Sequence, residues 1–356
     1  MPTNSLKVTL LAPGCFASVG NMTSNVTDAE AGIGEAEGPA LNDSAVIVTH
    51  SQSLEQALFV TCALPAPELG RLPAAQFGNR LPGQIEPNGC VCAELVHLQA
   101  DKDNAVLIPQ RALDVQTEHV SALYASLHAL LEPDGIHVVQ DSNDQWYLVG
   151  MDATHLNTWP AHALARRDVA AHLPRSAEAG DWRRLFTETQ MLFHDHPVNT
   201  ERAARQQVPV NGVWFWGGAT ASLSAVEGHF VVFANDAYSH GFCEAANITQ
   251  RPLSEFDASS PAQNLGIGDD QHCVICDLAL YNALLGGNAE DIQQARLQLN
   301  TNLIEPLQLS VNEGRIGTLT IDGCEGHAIV ERATKSMPAF KGSNGAFSRI
   351  KQWFSQ

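Results

Sequence analysis

The sequence predicts an α/β protein: a three-layer α/β/α core interrupted by a smaller α+β domain. Two observations lead there. Short apolar runs without alternation, at 7–11, 230–233, 273–278 and 316–321, have the texture of strands buried on both faces. They are separated by stretches of helical periodicity at 53–62, 239–246 and 289–303, the order expected of a sheet covered on both sides. Between them, 90–149 runs strand, strand, helix, strand, strand. The expected division is therefore a core of 1–84 and 206–356, with 85–205 inserted as an α+β domain with a returning helix.

Taken in order, 7–11 is a first buried strand stopped by Pro13-Gly14. Residues 15–45 carry few large apolar side chains and predict a loop-like segment. A short strand is expected at 45–48. Leu54, Leu58 and Val60 then line a helix, and 65–82 is punctuated by Pro and Gly. The runs at 90–97 and 106–109 flank the polar turn Asp101-Lys-Asp-Asn and predict a hairpin; 137–140 and 145–149 predict another. Between the hairpins, Thr117 is placed to cap a helix that Pro133-Asp134-Gly135 breaks. The last 22 residues, 335–356, are mildly basic, with Phe347, Ile350 and Phe354 at amphipathic spacing.

The densest text runs from Trp182 to Gly218. Trp182, Leu185, Thr189, Leu192 and His196 recur at helical spacing, with Asp181 as the expected cap and Pro197 as the stop. Asn199 is placed to cap a second helix bearing Arg202 and Arg205. Val213, Trp214, Phe215 and Trp216 form an unalternated apolar strand, and Gly217-Gly218 ends it. The string His196-Pro-Val-Asn199, Arg202, Pro209-Val-Asn211, the strand and the glycine pair resembles a segment of the archaeal-type cofactor-independent phosphoglycerate mutases. Gln190, Met191, Leu192, His194, Trp214 and Trp216 are similar to a bacterial branch of that superfamily, the RpfE-type regulatory proteins. The resemblance implies a core of alkaline-phosphatase type.

Composition bounds the partners. At 356 residues with 44% hydrophobic side chains, the chain is long enough for a large core and two domains. The formal charge of -19 argues against unspecific binding to nucleic acid or an anionic membrane. No apolar run reaches spanning length, and the expected location is the cytoplasm. Eight scattered cysteines then predict reduced, mostly buried thiols.

The resemblance also implies two metal ions that activate a serine and stabilise a transferring phosphoryl group. It implies Asp-Gly after the first strand, and Asp-x-x-Gly-His after a late one. It further implies an adjacent Asp-His pair and one more His. Here the first strand ends Leu11-Ala12-Pro13-Gly14, and 279–283 reads Ala-Leu-Tyr-Asn-Ala. Asp322, Glu325 and His327 remain as a candidate remnant metal site. His194-Asp195-His196, Cys273/Cys276 and Cys90/Cys92 offer metal-like spacing, yet helix and strand geometry sends the first two pairs to different faces. Arg202, Arg205, Asn211, Gly217 and Gly218 make the expected ligand site, for a small phosphorylated or carboxylate molecule. The reading is a mutase-like protein that has shed phosphoryl transfer and binds a ligand or regulates, with no cofactor expected. The alternatives are a working mutase or phosphatase with a rearranged divalent-metal site, or a structural subunit.

Overall fold

The structure is a computed structural model and describes residues 6–15, 46–49, 53–73, 89–101, 104–140, 145–165, 168–219, 223, 226, 228–261, 271–286, 288–324 and 326–331. The expected loop segment beyond residue 15, the second half of the 65–82 stretch and the basic tail lie outside the described residues. Two compact units emerge: Met1–Cys62, Glu227–Asn235 and Ile248–Gln356 form the first, Ala63–Val226 and Asp236–Asn247 the second. No described helix is long and apolar enough to cross a membrane.

Numbered along the chain, the first unit holds β1 (Lys7–Leu11), β2 (Val46–Thr49), α1 (Leu54–Thr61), β8 (His229–Phe233), β9 (Thr249–Arg251), β10 (Gln271–Cys276), α6 (Ala279–Gly286), α7 (Ala289–Leu299), α8 (Glu305–Asn312), β11 (Thr318–Asp322) and β12 (Gly326–Glu331). Its strands form one sheet in the order β2-β12-β11-β1-β10-β8-β9. Pairing is parallel from β11 through β9 and antiparallel at β11–β12 and β12–β2. Parallel neighbours need long crossovers. The one from β10 to β11 is α6, α7, a π-helical turn at Asn300–Ile304 and α8, where the sequence suggested a single helix. Ile292, Leu299, Ile304 and Leu307 of that crossover share a core with Val8, Leu10, Cys273, Ile275, Leu319 and Ile321. On α1, Leu58 and Phe59 are buried, and Ser53 closes a capping box with Gln56.

The second unit holds β3 (Cys90–Asp101), β4 (Asn104–Pro109), α2 (Thr117–Leu131), β5 (His137–Gln140), β6 (Trp146–Val149), α3 (Gly180–His194), α4 (Pro197–Ala204), β7 (Gly212–Trp216) and α5 (Ala237–Ala245). Both predicted hairpins form, β3 with β4 and β5 with β6. The twelve-residue β3 organises the sheet. Along one edge it pairs β6 at Cys90–Cys92 and β4 at Val96–Asp101; along the other it pairs β7 at Cys92–Val96, all antiparallel. One edge is thus left without a strand partner at 93–95. Tyr124 of α2 fills the gap: its hydroxyl donates to the Ala93 carbonyl at 2.7 Å and accepts from the Leu95 amide. The ring is buried and stacks on Trp146 at 4.0 Å.

β7 departs from the expected division. The sequence placed it in the core domain because five consecutive buried residues suit a central parallel strand. It is instead an antiparallel partner of β3, buried because α3 covers it with Trp182 and Phe186 and Thr158 donates to the Phe215 carbonyl. The second unit accordingly runs from 63 to 226 and takes in α5, against the expected 85–205.

Removing the Tyr124 hydroxyl orphans a buried carbonyl and amide. Tyr124→Phe is expected to lower unfolding free energy by about 1–3 kcal/mol, read from urea denaturation.

Candidate functional site

The expected anion site is taken apart by its own hydrogen bonds. Arg202 is 0% exposed, and its guanidinium donates to the carbonyls of Val208, Leu113 and Asp114 at 2.8, 2.6 and 3.1 Å. Asp114 sits at φ 46, a conformation that side chains other than glycine adopt rarely, so Arg202 pins a strained turn. Arg205 makes an exposed ion pair with Glu201 at 2.6 Å. The Asn211 side chain accepts from the Leu98 amide (2.7 Å) and donates to the Leu98 carbonyl (2.9 Å), extending the β3–β7 ladder by imitating a backbone unit. A Cβ on Gly218 would lie 2.4 Å from that of Ala153, so this glycine permits close packing. Five residues of β7 hold Gly217 and Gly218 about 16 Å from the Arg202 end. Arg202 and Asn211 thus spend their polar atoms on backbone partners.

Local capping was also reassigned. His196, not Asn199, caps α4, accepting from the Val198 amide at 3.2 Å. Asn199 instead bonds the Phe193 carbonyl and both backbone groups of Val210. Ala179 stands in the cap position expected for Asp181, and Gln116 in that expected for Thr117. His196 also meets Ser126 at 2.9 Å, while the His194 side chain is 82% exposed, so the two imidazoles share no ion. Every cysteine is buried, and burial pushes the Cys62, Cys90 and Cys273 thiols up to about 12. Such thiols are poor nucleophiles.

Polar groups do converge at the carboxyl edge of the first unit's sheet, where ligands of open α/β sheets bind. Leu11 is level with Cys276 on one side and Asp322 on the other. The ladder continues past the strand ends: Ala12 N–H donates to Asp322 O (2.8 Å), Gly14 to Gly323 O (3.0 Å) and Asp277 to Leu11 O (2.9 Å). Gly14, at φ 83, is required here, since a Cβ would meet Leu284 of α6 at 2.3 Å. Asp277 and Asp322 thus flank the end of β1 on strands about 10 Å apart. Asp277 accepts from Ala279 N–H at 2.8 Å; burial raises its pKa above the usual carboxylate range, against that bond. Asp322 is 7% exposed, and one oxygen accepts from Cys324 N–H at 2.8 Å. His327 lies opposite Asp322 in the β11–β12 register. Glu325 and the His327 side chain fall outside the described residues. Sequence reasoning missed Asp277; its signal was a carboxylate directly after an apolar strand and two residues before a helix.

No family model matches the chain. A probable 2,3-bisphosphoglycerate-independent phosphoglycerate mutase of Geobacter sulfurreducens is 22% identical over 129 residues, covering 33% of this chain and 32% of that protein. The 2,3-bisphosphoglycerate-independent phosphoglycerate mutase of Methanosarcina barkeri is 25% identical over 161 residues, covering 43% and 40%. The chain is a distant homologue of the cofactor-independent phosphoglycerate mutases. These matches span only a third to two fifths of the relatives' lengths. The PH0037 protein from Pyrococcus horikoshii shares the fold, with a TM-score of 0.51 at 11% identity over 92% of this chain and 87% of that one.

A two-metal centre of mutase type needs several convergent carboxylates and imidazoles. Among the described residues no group of three His, Cys, Asp or Glu side chains could hold an ion.

Two measurements check this account. Arg202→Met leaves three carbonyls without donors and is expected to cost at least about 3 kcal/mol in chemical denaturation. For Asp277 the folded-state pKa is raised, so its contribution to stability is present at low pH and lost as pH rises through that value. Asp277→Asn keeps the acceptor for Ala279, so it is expected to raise the melting temperature at neutral pH. The gain should vanish below the ordinary carboxylate range, as a pH series of thermal melts would show.

Proposed function

We propose that this protein is a mutase-like scaffold that has lost two-metal phosphoryl transfer and works as a ligand-binding or regulatory protein of the RpfE type. The observation that carries this is the end of β1. There Ala12, fully buried and donating to Asp322, stands where the mutase pattern places a carboxylate. A methyl group binds no cation. Exposed Gln190, Met191 and His194 on α3 are the resembling residues that folding does not require, which suits a surface for regulation. The ligand class favoured is a small phosphorylated acid such as phosphoglycerate, held in the first unit.

A second reading, a metal-dependent phosphoglycerate mutase or phosphatase with a rearranged site, is favoured by one observation. Asp277 and Asp322 flank β1, with His327 in register beside Asp322. The readings part in one assay. Protein supplied with Mg²⁺ or Mn²⁺ is expected to convert neither phosphoglycerate nor a phosphomonoester faster than Asp277→Ala and Asp322→Ala do. Saturating phosphoglycerate should raise its melting temperature, since ligand at a hundred times its Kd stabilises by about 2.7 kcal/mol. Metal-dependent turnover abolished in Asp322→Ala would sink the first reading.

A further inference from the structure

The second unit carries a carboxylate set among rings. Glu94 of β3 lies opposite Trp214 in the β3–β7 register, and Cys92 lies opposite Trp216, so Glu94 and both indoles share one sheet face. Glu94 Oε1 accepts the Trp216 indole N–H at 2.6 Å. Two further rings surround that indole. Tyr238 of α5 lies nearly parallel to it, 22° off at 6.3 Å, and His162 stands edge-on at 6.3 Å and 86°. Trp216 is 4% exposed, whereas Glu94, His162 and Tyr238 are half-buried, so the cluster has an apolar floor and polar tips.

Among the described residues this charge has no counter-charge. None of the ion pairs among the described residues includes Glu94. Its field nonetheless reaches the interior: after burial, Glu94 is the next cause raising the Tyr124 phenol pKa. An unanswered acceptor lies at the start of α5, two residues before Tyr238. Asp236 Oδ1 caps the helix at Ser239, but its Oδ2 is buried and finds no partner among the described residues. Partly buried carboxylate oxygens without donors are unfavourable unless something supplies positive charge.

We propose that Glu94, Trp216, Tyr238 and His162 form a binding site for a small organic ammonium ion, an alkylamine or quaternary ammonium. The chemistry selects that class. A phosphate or carboxylate would be repelled by Glu94. A hard divalent ion wants six or more oxygen ligands, and the ring cluster offers one carboxylate. A weakly hydrated ammonium gains from both the charge and the electron-rich ring faces. The site is independent of the phosphorylated ligand proposed for the first unit.

The test uses the full chain and needs no unknown ligand. Choline and its neutral carbon isostere 3,3-dimethyl-1-butanol are titrated at constant ionic strength, following tryptophan fluorescence and heat. Choline is expected to give a saturable change; the isostere should bind at least roughly tenfold more weakly. Glu94→Gln keeps an acceptor for the Trp216 N–H and should fold with an unchanged melting temperature while losing roughly tenfold in choline affinity. Equal affinity for choline and the isostere, no saturable response to choline, or undiminished choline binding by folded Glu94→Gln would each overturn the proposal. The comparison of the two alcohols decides the matter on the native protein alone, should the variant not fold.

Discussion

The position of β1 governs the first unit. It is hydrogen-bonded on both edges by parallel strands, so its register with β10 and β11 fixes what stands at the carboxyl edge. Once Leu11 is level with Cys276 and Asp322, the next residues have determined places: Ala12 between two strand ends, Asp277 on one side, Asp322 on the other. Backbone bonds from Ala12, Gly14 and Asp277 carry the ladder beyond the strands and lock those places. A one-residue slip would turn Val8 and Leu10 out of the core they share with α7 and α8, so the register is held by buried apolar area.

Periodicity made much of this fold legible. The 7–11 strand, both hairpins and the helix ending at His194 leave local signals: apolar runs, polar turns and a proline stop. What escaped were interactions between residues far apart in sequence. β7 has the composition of a central parallel strand, and nothing local says that β3, over a hundred residues earlier, is its partner. Asn211 and Asn199 have the composition of turn and cap residues, yet their side chains substitute for backbone across 113 and 11 residues. Asp277 was visible in principle, but an Asp ahead of a helix is usually a cap, and here it is that as well.

The arginine cluster shows why composition alone misplaced the candidate site. An arginine beside a glycine pair suits an oxyanion, but the same five donors suit any set of convergent carbonyls. Arg202 meets three, on segments about ninety residues apart, and its burial leaves no face for a ligand. Arg205 and Arg251 are each held by a glutamate one turn away, and Arg315 by Glu313. In a chain of net charge -19, arginines engaged by carbonyls and glutamates leave acidic groups to set the character of what remains.

That balance separates the fate of a fold from the fate of its chemistry. The carboxyl edge keeps its geometry through main-chain bonds, which are indifferent to side chain at position 12, and through a glycine that α6 cannot do without. Those main-chain bonds hold the backbone at the strand ends in place whatever side chain follows Leu11. Metal affinity, by contrast, falls with every donor removed, because the remaining carboxylates must then be held apart without a cation to balance them. The raised pKa of Asp277 has a local cause: its oxygen is kept in place by a helix N-terminus, while burial works against its charge.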